Sequence, residues 1–106
     1  MKKFLPVFLS ILFLSAPAWA EDQKIDIKDH LYKPDNITVT AGTKVTWTNL
    51  DQDPHTVKEK DNNKFHSTAL DTNDSYSYTF TAPGTYKYFC TLHPTMVGSV
   101  KVIDKK

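Results

Sequence analysis

From Ile25 onward the chain alternates. Ile25 and Ile27 flank Asp26, Ile37 and Val39 flank Thr38, Val45 and Trp47 flank Thr46, and Tyr76, Tyr78 and Phe80 are separated by Ser77 and Thr79. Tyr86, Tyr88 and Cys90 enclose Lys87 and Phe89, and Val100 and Val102 enclose Lys101. A period of two places one apolar row on one face of a pleated strand, and the β-branched and aromatic residues in these rows are the types that pack well there. The breaks are as regular as the strands. Ala41-Gly42-Thr43, Pro83-Gly84-Thr85 and Val97-Gly98-Ser99 set the three glycines between strands, and Pro34-Asp35-Asn36 and Asp51-Gln52-Asp53-Pro54 read as polar turns. His55-Thr56-Val57-Lys58 is expected to form a further strand. Together these predict an all-β domain, a two-sheet sandwich or flattened barrel of about six to eight strands. Only Lys58 to Thr72 lacks the pattern; it reads as a long connection pinned by Phe65 and Leu70.

The first twenty residues follow different rules. Lys2 and Lys3 precede an apolar run from Phe4 to Leu14, and Ala18-Trp19-Ala20 supplies small residues where a signal peptidase reads them. The run is shorter than the roughly 20 residues a spanning helix needs. Residues 1–20 are therefore expected to be a Sec-type signal removed after Ala20, leaving one domain over residues 21–106, exported to the periplasm. Of 13 lysines two leave with the signal, so 11 face 12 acidic residues. Such a balance provides neither the basic face that nucleic acid requires nor a polybasic anchor for a membrane, and the expectation is a monomer without stable membrane association.

Cys90 is the only cysteine, so no internal disulfide can form. Small exported domains commonly depend on disulfides, and this one needs a good core, a metal or both. The stretch YFCTLHPTMVG, Tyr88 to Gly98, places His93 three residues after Cys90 and Met96 three after that. Met96 is the only methionine after the signal, and it sits in a polar, proline-containing loop rather than in an apolar row. His55, following Pro54, supplies a second imidazole if its turn meets the loop that follows Cys90. A thiolate and two imidazoles with a weak thioether are the donor set that suits copper in both oxidation states. The reading is one Cu(I)/Cu(II) ion on His55, Cys90, His93 and Met96, and a bound thiolate also answers why a lone cysteine is kept in an oxidising compartment. Structural zinc uses paired Cys-x2-Cys or His clusters, absent here, and covalent haem needs Cys-x-x-Cys-His. A Cys–His hydrolase lacks an evident orienting acid. His30 and His66 read as surface histidines.

At these residues the chain resembles the cupredoxins, the small blue copper proteins. The resemblance runs through ITVTAGTKV (Ile37–Val45), VTWTNLDQDPHTV (Val45–Val57) and APGTYKYFCTLHPTMVGSVKV (Ala82–Val102), and the short Cys-x2-His-x2-Met loop is most similar to that of the amicyanin branch. It implies a Greek-key sandwich, a type 1 copper centre on the same four residues, and one-electron transport without catalysis. Redox donor and acceptor proteins would dock transiently near His93. It also implies that Asn49 ties the His55 loop to the backbone beside Cys90, near Thr91. Pro94 has no N–H to offer the sulfur, which is expected to lower the potential. Amicyanins carry proline and phenylalanine where this loop has Leu92 and Thr95, so their partners do not transfer. Two other classes stay open: a carrier that delivers the copper ion itself, and a very small copper-dependent enzyme or sensor.

Overall fold

The computed structural model describes residues 22–105, so the expected signal segment lies outside the described residues. Each alternating row becomes a strand. In chain order these are β1 (Asp22–Lys28), β2 (Leu31–Lys33), β3 (Asn36–Thr40), β4 (Thr43–Asn49), β5 (Lys58–Glu59), β6 (Ser75–Phe80), β7 (Gly84–Cys90) and β8 (His93–Ile103). They form two four-stranded sheets, ordered β2-β1-β4-β6 and β3-β8-β7-β5. Both sheets are mixed, because β1 runs parallel to β4 and β3 parallel to β8 while the other pairs are antiparallel. The result is the all-β sandwich the alternation predicts.

Register carries the apolar rows into one layer. Trp47 lies beside Ile25 on one side and Tyr76 on the other, and Val39 lies beside Val102. Trp47 is fully buried and meets Tyr88 edge-on, with ring centroids 5.3 Å apart, and Phe65 in a stack at 5.8 Å. Both apolar pins of the long connection, Phe65 and Leu70, are in this core. Truncating a side chain like Trp47 would cost about 3–5 kcal/mol, enough to threaten a small domain.

Three local expectations are corrected. His55 to Lys58 does not form a strand; His55 makes a single bridge to Leu70 and only Lys58–Glu59 pairs with β7. The Thr56 N–H is used elsewhere, as described below. His93 and Met96 do not lie in an open loop. β8 begins at His93, which pairs with Cys90 across the turn Thr91-Leu92, and the register shifts between Phe89 and Cys90. Gly98 is not a strand boundary but lies inside β8 opposite Tyr88. A Cβ at residue 98 would come within 2.4 Å of the Tyr88 hydroxyl oxygen, so the glycine makes room for that ring. The short β2 was not expected, since only Tyr32 of its three residues faces inward.

Candidate metal centre

The segment leaving β4, the β1–β2 turn and the β7–β8 hairpin meet at one end of the sandwich. Asn49, fully buried, organises the first of these. Its amide donates to the carbonyls of Asp53 and Leu70 at 2.9 and 2.8 Å, and its side-chain oxygen accepts from the Asp51 N–H at 2.9 Å. The expected tie from Asn49 to the backbone near Thr91 is therefore not made. Thr56 makes it instead: its hydroxyl accepts from the Thr91 N–H at 2.7 Å and its own N–H points at the Cys90 sulfur, 3.3 Å away. The Thr56 carbonyl is in turn held by the buried Tyr32 hydroxyl at 2.7 Å.

His55 lies completely buried between these elements. Its Nε2 is 2.9 Å from Asp51 Oδ2, and Asp51 also accepts from the N–H groups of Asp29 and His30 at 2.8 and 2.9 Å. Burial works to raise the Asp51 carboxyl, but these hydrogen bonds from His30, Asp29 and the His55 ring outweigh it and bring it from 3.8 to about 2. An ionised carboxylate only accepts, so Nε2 of His55 donates to it, and in the neutral ring Nδ1 keeps its lone pair. That lone pair faces the site: Nδ1 is 3.7 Å from Cys90 Sγ. His93 presents its own Nδ1 to the same sulfur, also at 3.7 Å. Cys90 is fully buried and Met96 nearly so, while His93 is half-buried.

These distances allow a test of fit. Donor atoms about 2.0–2.1 Å (nitrogen) and about 2.3 Å (sulfur) from one ion, roughly 120° apart, stand about 3.7 Å from each other. Both nitrogen–sulfur separations thus suit one soft or borderline metal, ligand nitrogens of the two rings lie within 4.8 Å of each other, and the donor chemistry matches copper. Ring centroids of His55 and His93 are 4.9 Å apart.

A third imidazole stands beside them. His30, on the β1–β2 turn, lies 5.0 Å from the His55 ring and 4.9 Å from the His93 ring, meeting both nearly at right angles. Ligand nitrogens of His30, His55 and His93 lie within 4.8 Å of one another. His30 is at the surface, as expected, but it borders the site. His66 is exposed and bridges Lys58 instead. Asp51 and Thr56 were not singled out in the sequence. Asp51 stands four residues before His55 inside a stretch that reads equally well as a plain turn, and only that spacing could have marked it.

Comparison with known proteins agrees with this geometry. The Cupredoxin-like domain model matches residues 3–102. Amicyanin-alpha of Methylorubrum extorquens is 42% identical over 94 residues, covering 82% of this chain and 75% of that protein. Amicyanin of Paracoccus denitrificans is 35% identical over 82 residues, or 74% of this chain, which spans only 63% of that protein's length. Among solved structures, a purple cupredoxin from Nitrosopumilus maritimus superposes with a TM-score of 0.72 at 36% identity, covering 76% of this chain and 99% of that one. An amicyanin variant described with Cu(I) superposes at 0.73 with 33% identity, covering 76% of this chain and 81% of that one.

Proposed function

The chain belongs to the cupredoxin-like family, and on that premise we propose that it is a periplasmic one-electron carrier whose copper ligands are His55, Cys90, His93 and Met96. The observation that carries this reading is the pair of 3.7 Å approaches of two imidazole Nδ1 atoms to one buried sulfur. Bound copper would supply a Cu(II)/Cu(I) couple with no bond made or broken in a substrate. The protein's part is to keep the donors still. Asp51 fixes the His55 tautomer and ring plane, and the Thr56 N–H fixes the sulfur. Donors held this firmly by hydrogen bonds change little when an electron arrives or leaves, which keeps the barrier to transfer low.

His93 is the half-buried donor, with Leu92 half-exposed beside it. This corner is where a donor or acceptor protein would touch transiently, as small electron-transfer contacts do. Cleavage after Ala20, a mature domain of residues 21–106 and a monomeric state complete the proposal. The signal-like lysines and apolar run support export.

The test is to add Cu(II) to the purified mature protein, record visible and EPR spectra, and cycle the sample with reductant and oxidant. An intense thiolate-to-copper band that bleaches and returns supports the carrier. Release of copper to a Cu(I) chelator on reduction would instead favour delivery of the ion.

A further inference from the structure

The site contains one imidazole more than the proposed ligand set uses. His30 is held as His55 is. Its Nε2 stands 2.9 Å from Asp53 Oδ2, the same separation as His55 Nε2 from Asp51 Oδ2. In the neutral ring with Nε2 donating to its carboxylate, Nδ1 keeps a lone pair that can bind a metal. Carboxylate–imidazole pairing of this kind is how proteins orient histidines that bind metals, and here it occurs twice, once in the interior and once at the rim.

Exposure separates the two pairs. The side chains of His30 and Asp53 are 49% and 60% exposed, whereas those of His55 and Asp51 are 0% and 10% exposed. Cys90 is fully buried, so an ion from solvent cannot meet the thiol first. The three imidazole rings stand in a triangle with centroids 4.9 to 5.0 Å apart. His30 and half-buried His93 are the outer members and fully buried His55 is the inner one.

We propose that His30, oriented by Asp53, is the capture ligand through which copper enters: it takes the hydrated ion at the surface and passes it by way of His93 to His55 and Cys90. The inference rests on the copper reading above. In the final transfer the Cys90 S–H bond gives way to a sulfur–copper bond, the thiol proton passes to solvent water, and the oxidation state of Cu(II) does not change. His30, still paired with Asp53, is then free of copper and is not a resident ligand.

The experiment mixes copper-free protein rapidly with aqueous Cu(II) and follows the growth of the thiolate-to-copper band. Three proteins are compared: wild type, His30→Phe, which keeps an aromatic ring against His55 and His93 while removing both nitrogens, and Asp53→Ala, which leaves the imidazole without its orienting partner. The expected result is the same final spectrum for all three, with loading slowed on the order of tenfold in His30→Phe and a few-fold in Asp53→Ala. Wild-type loading should also level off as copper is raised, because the capture ligand fills. Equal loading rates for wild type and His30→Phe at every copper concentration would overturn the proposal. A His30→Phe protein whose final spectrum differs would overturn it as well, since His30 would then be a permanent ligand. If wild type develops no band at all, the copper reading itself fails and capture falls with it.

Discussion

His55 and His93 offer the same atom to the same sulfur at the same 3.7 Å distance, yet different kinds of structure hold them. The His55 side is a buried polar network. The Asn49 side chain makes three hydrogen bonds, the Asp51 carboxylate accepts three, Thr56 anchors both the sulfur and the Thr91 N–H, and Ser67 accepts from the Val57 N–H. The His93 side is a hairpin. Backbone pairing of β7 with β8 places it, and among the described residues its ring has no hydrogen-bond partner besides the sulfur. One half of the centre is thus fixed by a network of buried protein hydrogen bonds, and the other by a short turn that leaves a ring edge near solvent. An electron carrier benefits from both, since the interior half limits rearrangement and the outer half gives a short path to a partner.

The largest expected effect comes from removing each ring in turn. His55→Gly and His93→Gly should both lose the charge-transfer band. Free imidazole added from solution should restore it in His93→Gly, whose gap opens outward, and not in His55→Gly, whose gap is sealed. Spectral titration with imidazole checks this, and equal rescue of both variants would erase the contrast.

Next is Asn49→Ala. It strands the Asp53 carbonyl and the Asp51 N–H and leaves the Leu70 carbonyl with the His55 N–H as its remaining partner, and buried polar groups left unpaired cost about 1–3 kcal/mol each. Copper-free Asn49→Ala should therefore be less stable in urea by about 2–4 kcal/mol, whereas Thr95→Ala on the exposed part of the hairpin should lie within about 0.5 kcal/mol of wild type.

Acid should reveal the same asymmetry. Glu59, four residues after His55 in β5, is buried. Burial tends to raise its carboxyl, but the N–H groups of Lys64, Asp61 and Asn62, with the Lys64 charge, hold it below the ordinary 4.5. A carboxylate depressed on folding adds stability that is complete above its unfolded value and is lost as pH falls from there through its folded value. Urea unfolding between pH 6 and 3 should show wild type losing stability below about pH 4.5 more steeply than Glu59→Gln; parallel profiles would remove Glu59 from the account.

Which of these features the sequence reveals follows from their range. The strands are legible because Ile25, Val45, Trp47, Tyr88 and Val102 obey a local period of two, and six residues suffice to read it. Cys90, His93 and Met96 are legible because they lie within seven positions, and His55 because a proline turn and the family motif frame it. His30 is not. It reaches the site from a turn more than sixty residues before His93, through a pairing of β1 with β4 that leaves no local mark. The role given to Asn49 failed for a related reason. The residue type fits a loop tie, but the choice between Thr91 and Leu70 depends on which backbone groups the long connection brings near, and that segment has no periodicity to reveal it.

The smallest expected effect concerns the sulfur. Thr56 N–H is its backbone donor, and Pro94 has none to add. If Pro94→Ala frees an N–H that reaches Cys90, one modest hydrogen bond of about 0.5–1.5 kcal/mol should raise the potential by roughly 20–65 mV. A redox titration showing no rise would assign the tuning to the His55 side alone.

X-ray absorption at the copper edge, taken on the loaded protein before and after reduction, reads the donor set in both oxidation states. Donors held in place by the fold predict one short sulfur and two nitrogen neighbours in Cu(II) and in Cu(I), at distances that agree within experimental error. Loss of the sulfur, or of either nitrogen, on reduction would contradict it.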